Sequence, residues 1–168
     1  YMMNKFGGEN VIDGQPEPSA ALLAVLAETP GIVRRILSFP YQEGREFVAT
    51  ILSTYGWQGV NSVYSHPPKS TEHILHPDRY LQGDAPQDVT LPSVADILGK
   101  GWEVDIEGTL GEFFFRAYML EMGFDPIFAT ISAEGWGGDR FELVTQDDGS
   151  NVLVLSTLWD TQQDATEF

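Results

Sequence analysis

Apolar residues recur at helical spacing through the first third of the chain and alternate at strand spacing toward its end, which predicts an α+β fold. Residues 1–18 do neither. Two glycines and the polar, turn-rich ENVIDGQPEP predict a loose N-terminal segment there. Ser19 then stands as the N-cap of an Ala/Leu helix ending near Glu28, and Thr29-Pro30-Gly31 breaks it. A second helix puts Ile32, Val33, Ile36 and Leu37 on one face and is expected to stop at Pro40. A third, from about Tyr41 to Tyr55, buries Phe47, Val48, Ile51, Leu52 and Tyr55, with Gly56 in the usual C-terminal position.

From Gly56 to Pro92 the chain holds Pro67, Pro68, Pro77, Pro86 and Pro92, which predicts short helices and loops. Ser70 can cap a helical turn that carries Glu72 in its first turn, and Pro77 turns His76 away from the α conformation. After Gly101, Trp102, Val104 and Ile106 alternate with Glu103, Asp105 and Glu107, a half-buried strand with an acidic, solvated face. Thr109 followed by Glu112 has the spacing of a capping box, opening a helix with Leu110, Phe113, Phe114 and Ala117 inward and Gly123 at its end. Asp125-Pro126 starts another. GWGGDR (Gly135 to Arg140) is expected as a loop, followed by two strands flanking the turn Asp147-Asp148-Gly149-Ser150. Asp160 and Gln163 mark a last helix start, with Ala165 and Phe168 on one side. The expected architecture is a helical N-terminal third, a Pro-rich middle, and C-terminal antiparallel strands with two or three helices. Residues 19–168 are expected to form one domain with a sub-boundary near 84–100. Tyr1 and the terminal aromatic Phe168 give both ends the look of cuts.

Charge narrows the partners. Nine basic against 25 acidic residues give a net charge of −16, and only Arg34-Arg35 is a local basic pair, so nucleic acid is not an expected partner. Anionic membrane surfaces are disfavoured for the same reason, and no apolar run has bilayer length, so membrane insertion is not expected either. The lack of cysteine removes disulfide and thiol chemistry.

The reactive side chains are concentrated in PPKSTEHILHPDRY (Pro67 to Tyr80). His73 and His76 lie here beside Glu72 and Asp78, and His66, the remaining histidine of the chain, immediately precedes Pro67. The HxxH spacing can put two imidazoles on one helical face, which makes His66, His73 and His76 weak metal candidates; Pro77 works against it. No HExxH and no GxSxG occurs. Ser70, Glu72 and His76 are expected to form a hydrogen-bonded knot that fixes the Pro-rich segment. In GWGGDR, Gly137 and Gly138 allow close or unusual backbone, Trp136 is expected to be packed, and Asp139 to pair with Arg140 or nearby amides. The other use of these residues is binding: Glu72, His76, Asp139 and Arg140 are the candidate polar contacts, with a ligand groove using Trp136 as its aromatic lining.

Five strings occur in order: FPYQEGREFV (Phe39 to Val48), PPKSTEHILHPDRY, GTLGEF (Gly108 to Phe113), GWGGDRF (Gly135 to Phe141) and WDTQQDATEF (Trp159 to Phe168). The series resembles the C-terminal half of a group of bacterial and archaeal extracytoplasmic proteins whose preceding half is zinc-peptidase-like, with an HExxH-type helix. Ser70, Thr71, Glu72, His76 and Pro77 match that pattern, whereas His73 stands where glutamine is expected. The resemblance implies a non-catalytic scaffold or substrate-side region, an extracytoplasmic location, no cofactor in this chain, and zinc in the parent, bound before Tyr1. It implies as partner the missing N-terminal half; surplus apolar residues on the first helices make a homodimer the other expectation. Two further readings stand beside it: a freestanding ligand- or protein-binding module, and a metal-dependent hydrolase using the histidine cluster.

Overall fold

The computed structural model describes residues 19–168; the loose segment expected over residues 1–18 lies outside them. Among the described residues, eight helices and a three-stranded antiparallel sheet of order β1-β2-β3 make an α+β fold with the sheet toward the C-terminus, as the hydrophobic pattern predicts. Two compact units divide after Pro30. The first contains α1 (Ala20–Glu28), whose first turn closes on the Ser19 carbonyl, in keeping with Ser19 as its cap. The second, Gly31–Phe168, continues through residues 84–100 without a division and holds everything described next.

Pro40 does not end the second helix. α2 runs Gly31–Ser65 with Pro40 inside it. A proline removes only one N–H from the ladder, and packing holds the helix on either side. Phe39 sits against Phe113, ring centroids 4.2 Å apart, while Phe47, Ile51 and Val60 form a core cluster further on. Gly56 acts as the sequence implies but does not terminate: at φ 62°, ψ −163° it kinks the chain, and the helix resumes as far as Ser65. A β-carbon on Gly59 would fall 2.5 Å from the Tyr55 β-carbon, so glycine there lets the two halves approach.

The helix carrying Glu72 stops before Pro77 as expected: His76 separates α3 (Thr71–Leu75) from a further helix, α4 (Pro77–Gln82), which has Pro77 in its first turn. α5 (Val94–Leu98), capped by Ser93, leads to β1 (Trp102–Gly108). The half-buried strand expected at β1 is not found: Val104 and Ile106 are exposed along with the acidic residues, because β1 is an edge strand and only part of the sheet is covered. α6 (Glu112–Glu121) has no capping box. Gly111 is its N-cap, the Thr109 hydroxyl donates to the Asp139 carbonyl, and Glu112 turns inward. The buried residues of α6 are Glu112, Phe115, Ala117 and Met119, so of the expected inward set only Ala117 is deeply placed. Gly123 after the helix is left-handed (φ 88°) as anticipated.

α7 (Pro126–Glu134) begins on Asp125, whose carboxylate accepts from Ile127 and Phe128. GWGGDR is not a loop: β2 (Trp136–Gln146) begins at its tryptophan, and β3 (Asn151–Trp159) returns through the expected turn at Asp147 to Ser150. The last helix, α8 (Asp164–Glu167), has Gln163 and not Asp160 as its N-cap, a start three residues later than expected, because Asp164 ties down Thr161 ahead of it. Phe168 stacks on Trp159 at 4.7 Å.

Alternation sorts the sheet into two faces. On one, Trp136 and Trp159 pair at the end covered by Phe115 and Ala133. Farther along that face, the rungs Ile106–Leu143–Leu153 and Phe141–Leu155 follow. The other face meets α5, where Glu142 accepts the Val94 amide at 3.1 Å.

Candidate functional site

The Pro-rich segment delivers a charged cluster into the interior. Ser70 caps α3 by accepting from the His73 amide (3.3 Å), which fixes the turn that presents Glu72. Glu72 and Glu112 are each 2% exposed, unusual for carboxylates unless paired. Arg79 of α4 supplies Glu72 with a close ion pair and extends a second one, 2.9 Å, to Asp160 beyond β3. The same guanidinium reaches the Glu134 carbonyl at the end of α7. Beside it, His76 Nε2 lies 2.9 Å from Glu112 Oε1 at the start of α6. One cluster thus joins α3, α4, α6, the end of α7 and the segment after β3. The expected knot of Ser70, Glu72 and His76 exists in a different form. The Glu72 carbonyl accepts the His76 amide (2.7 Å), while the Glu72 side chain goes to Arg79 in the next helix and that of His76 to Glu112, far off in sequence.

Burial sets the protonation of this cluster. Desolvation raises Glu72 from 4.5 to about 6, against the opposing pull of Arg79. It raises Glu112 as well, opposed by His76. The hydrogen bond to Glu112 is the main reason that His76 is raised above 6.5, with its own burial acting the other way. Glu112 Oε2 is buried with no hydrogen-bond partner among the described residues, which adds to the cost of the ionised form. Chemically the cluster can hold and exchange protons between His76 and Glu112, and its charges largely compensate one another.

The other candidates separate from it. His73 is held by main chain at both ring nitrogens: Nδ1 accepts from the Lys69 amide (3.2 Å), and Nε2 lies 2.7 Å from the Asp84 carbonyl. With Nδ1 the acceptor, Nε2 carries the proton. His66 is exposed, and its carbonyl accepts from the Tyr80 hydroxyl. The three histidines therefore occupy three settings, and among the described residues no group of three or more His, Asp or Glu side chains converges to hold a metal.

The GWGGDR residues build a second locus. Asp139 accepts from the Leu110 amide (2.7 Å), the Gly111 amide (2.8 Å) and the Trp136 indole (3.0 Å), fixing the start of α6 to β2. It serves nearby amides and does not pair with Arg140, which instead meets Glu107 at 2.7 Å. Thr71 adds a further tie, accepting from the Phe113 amide, and a β-carbon on Gly111 would crowd its hydroxyl. Gly137 and Gly138 let residue 87 lie along the strand: the Gln87 amide donates to the Gly137 carbonyl (2.7 Å), and a β-carbon on Gly138 would strike the Gln87 carbonyl. Beside this contact opens a cleft of about 530 Å3 lined by Lys69, Gln87, Thr109, Asp139 and Arg140. Trp136 touches it but is fully buried, so it forms a floor and not an aromatic wall.

Sequence reasoning gives Glu112 and Asp160 only as helix-start residues and does not single out Arg79. Asp160 lies 81 residues from Arg79, so no local signal joins them. For Arg79 the signal is its place one helical turn after His76 and seven residues after Glu72.

A family model described as a domain of unknown function (DUF8575) matches residues 102–168. That span runs from β1 to α8 and includes Glu112, Asp139 and Asp160, while Glu72, His76 and Arg79 precede it. No curated protein and no solved structure matches the chain.

Proposed function

We propose that this chain is a non-catalytic scaffold or substrate-side region of a zinc-peptidase-like extracytoplasmic protein, working with an N-terminal half that binds the zinc. The observation that carries the reading is that the buried carboxylates of the charged cluster, Glu72 and Glu112, are each paired with a basic side chain of the same chain. Glu72, Arg79, Asp160, His76 and Glu112 pair with one another across five parts of the fold, with Glu112 Oε2 the one buried oxygen left over among the described residues, and such ties are the work of a scaffold. Exposed apolar surface supports a partner half. The kinked α2 carries a cleft of about 430 Å3 lined by residues such as Phe39, Pro40, Val48, Ile51 and Tyr64. The test is the reading frame upstream of Tyr1, followed by mixing its product with this chain. An HExxH-type helix upstream and a one-to-one complex on size exclusion are expected, with peptidase activity absent from this chain alone. A frame without such a helix, or peptide cleavage by the chain by itself, would overturn the proposal.

A second reading, a freestanding binding module, is favoured by the cleft at Lys69 and Arg140. It places two of the nine basic residues on one concave surface of a strongly acidic chain. Lys69→Glu with Arg140→Glu would abolish binding of a small anionic ligand to that cleft if the module reading is right.

A further inference from the structure

The two edges of the sheet are unlike. β1 carries Glu103, Asp105 and Glu107 and a bulge between Val104 and Ile106, both features that discourage a further strand. β3 is nine residues, NVLVLSTLW, with no charge, and its register against β2 is regular from Gly138 onward. Among the described residues its main chain bonds only to β2. Leu153 and Leu155, 61% and 41% exposed, stand on it. A long, uncharged edge strand is a template for another strand.

We propose that β3 is a self-association edge: a second copy of this chain pairs antiparallel with it about a two-fold axis at Leu155, making one continuous sheet. Charge selects the occupant. At −16 the chain repels its own copy over most of its surface, and β3 is a stretch where two copies meet without setting like charges opposite each other. A basic partner finds no carboxylate on this strand to bind. Pairing about Leu155 puts Leu153 opposite Thr157, Val154 opposite Ser156 and Asn151 opposite Trp159, every pair uncharged. The Phe141–Leu155 rung then runs on through the axis into the same rung of the second copy, and Leu153 at the end of the Ile106–Leu143 rung packs beside Thr157 of that copy. Edge pairing alone buries less than the roughly 800 Å2 per partner of a standard interface, so the association is weak and depends on concentration. Because two acidic bodies are brought together, it strengthens as salt rises.

The chain has no cysteine, so a single introduced thiol reports cleanly. Leu155→Cys sits opposite itself on the axis, within disulfide reach in an antiparallel pair. Under mild oxidation it is expected to give covalent dimers, while Asp105→Cys on β1 stays monomeric. Sedimentation equilibrium of the unmodified chain should show a dimer that grows with salt, weakened about tenfold or more in folded Leu155→Glu, where two carboxylates face each other. A monomer at every concentration and salt level sinks the proposal. So does a dimer that Leu155→Glu leaves intact, or cross-linking through Asp105→Cys that matches Leu155→Cys.

Discussion

The charged cluster and the far half of the sheet invert the usual distribution of residues. Glu72 and Glu112 are 2% exposed, whereas Leu153 is 61% exposed and Ile106 53%. Both departures are informative, since a buried charge and an exposed apolar patch are the exceptions to burial by hydrophobicity. They teach different things. Charges go inside only where each finds a partner, so the cluster fixes which elements meet. A run of apolar side chains left outside on adjoining strands is a surface on which a partner can pack, so the sheet is where the proposal of self-association is placed. Substitutions should therefore cost far more at the cluster than at the sheet.

Arg79→Ala is expected to be the most damaging change, because it leaves Glu72 buried without a counter-charge. Breaking a buried pair from one side costs about 3–5 kcal/mol. Urea denaturation followed by near-ultraviolet circular dichroism measures it, and a loss under about 1 kcal/mol would mean that the cluster is solvated. Asp139→Ala comes next. It strips the acceptor from two amides and an indole, at about 1–3 kcal/mol for each donor left buried and unpaired. Water entering the neighbouring cleft can replace part of that, so a total of about 2–4 kcal/mol is expected. A change smaller than that of a surface control would refute the view that Asp139 anchors α6.

The elements that local chemistry dictates were legible in the sequence. Pro77 with His76, Asp125-Pro126, Gly123 and the Asp148-Gly149 turn each determine their own backbone, and each is where its residues imply. Misreadings arose where tertiary contact overrode a local rule. Phe39 on Phe113 and the cluster around Ile51 carry α2 through Pro40. Trp136 and the close approach of Gln87 draw GWGGDR into a strand. Glu112 has the spacing of a cap but the surroundings of a core residue. Of the charged cluster, Glu72, His76 and Arg79 lie in one short segment, and a sequence reading can bring them together. Glu112 and Asp160 cannot be joined to them, because no periodicity relates α4, α6 and the segment after β3.

The same cluster makes stability depend on pH in a stated direction. Glu72, Glu112 and His76 are all raised, so the folded chain binds more protons than the unfolded chain, and stability falls as pH rises. For Glu72 the loss sets in above 4.5 and is complete somewhat above 6, worth about 2 kcal/mol at 1.36 kcal/mol per unit. For His76 the contribution is intact below 6.5 and is lost as pH passes its raised folded value. The urea midpoint is expected to drop between pH 5 and pH 8, and the slope to flatten in Glu72→Gln. Repulsion within a −16 chain lowers stability in the same direction, so the difference between the two proteins is the decisive quantity. Parallel curves would assign the pH dependence to net charge and not to Glu72.

Leu153→Thr should give the smallest effect and the sharpest contrast. Leu153 is more than half exposed, and threonine is at least as good a strand former, so the monomer is expected to change by no more than about 0.5 kcal/mol. The comparison of regions turns on the concentration at which this is measured. In dilute protein the denaturation midpoints of Leu153→Thr and the parent should coincide. If β3 pairs with a second copy, the parent gains stability with concentration because assembly favours the folded state, and the variant gains less. A Leu153→Thr midpoint that falls well below the parent even at high dilution would place that leucine in the monomer's own core energetics. The sheet face would then count as part of the fold and not as a surface awaiting a partner.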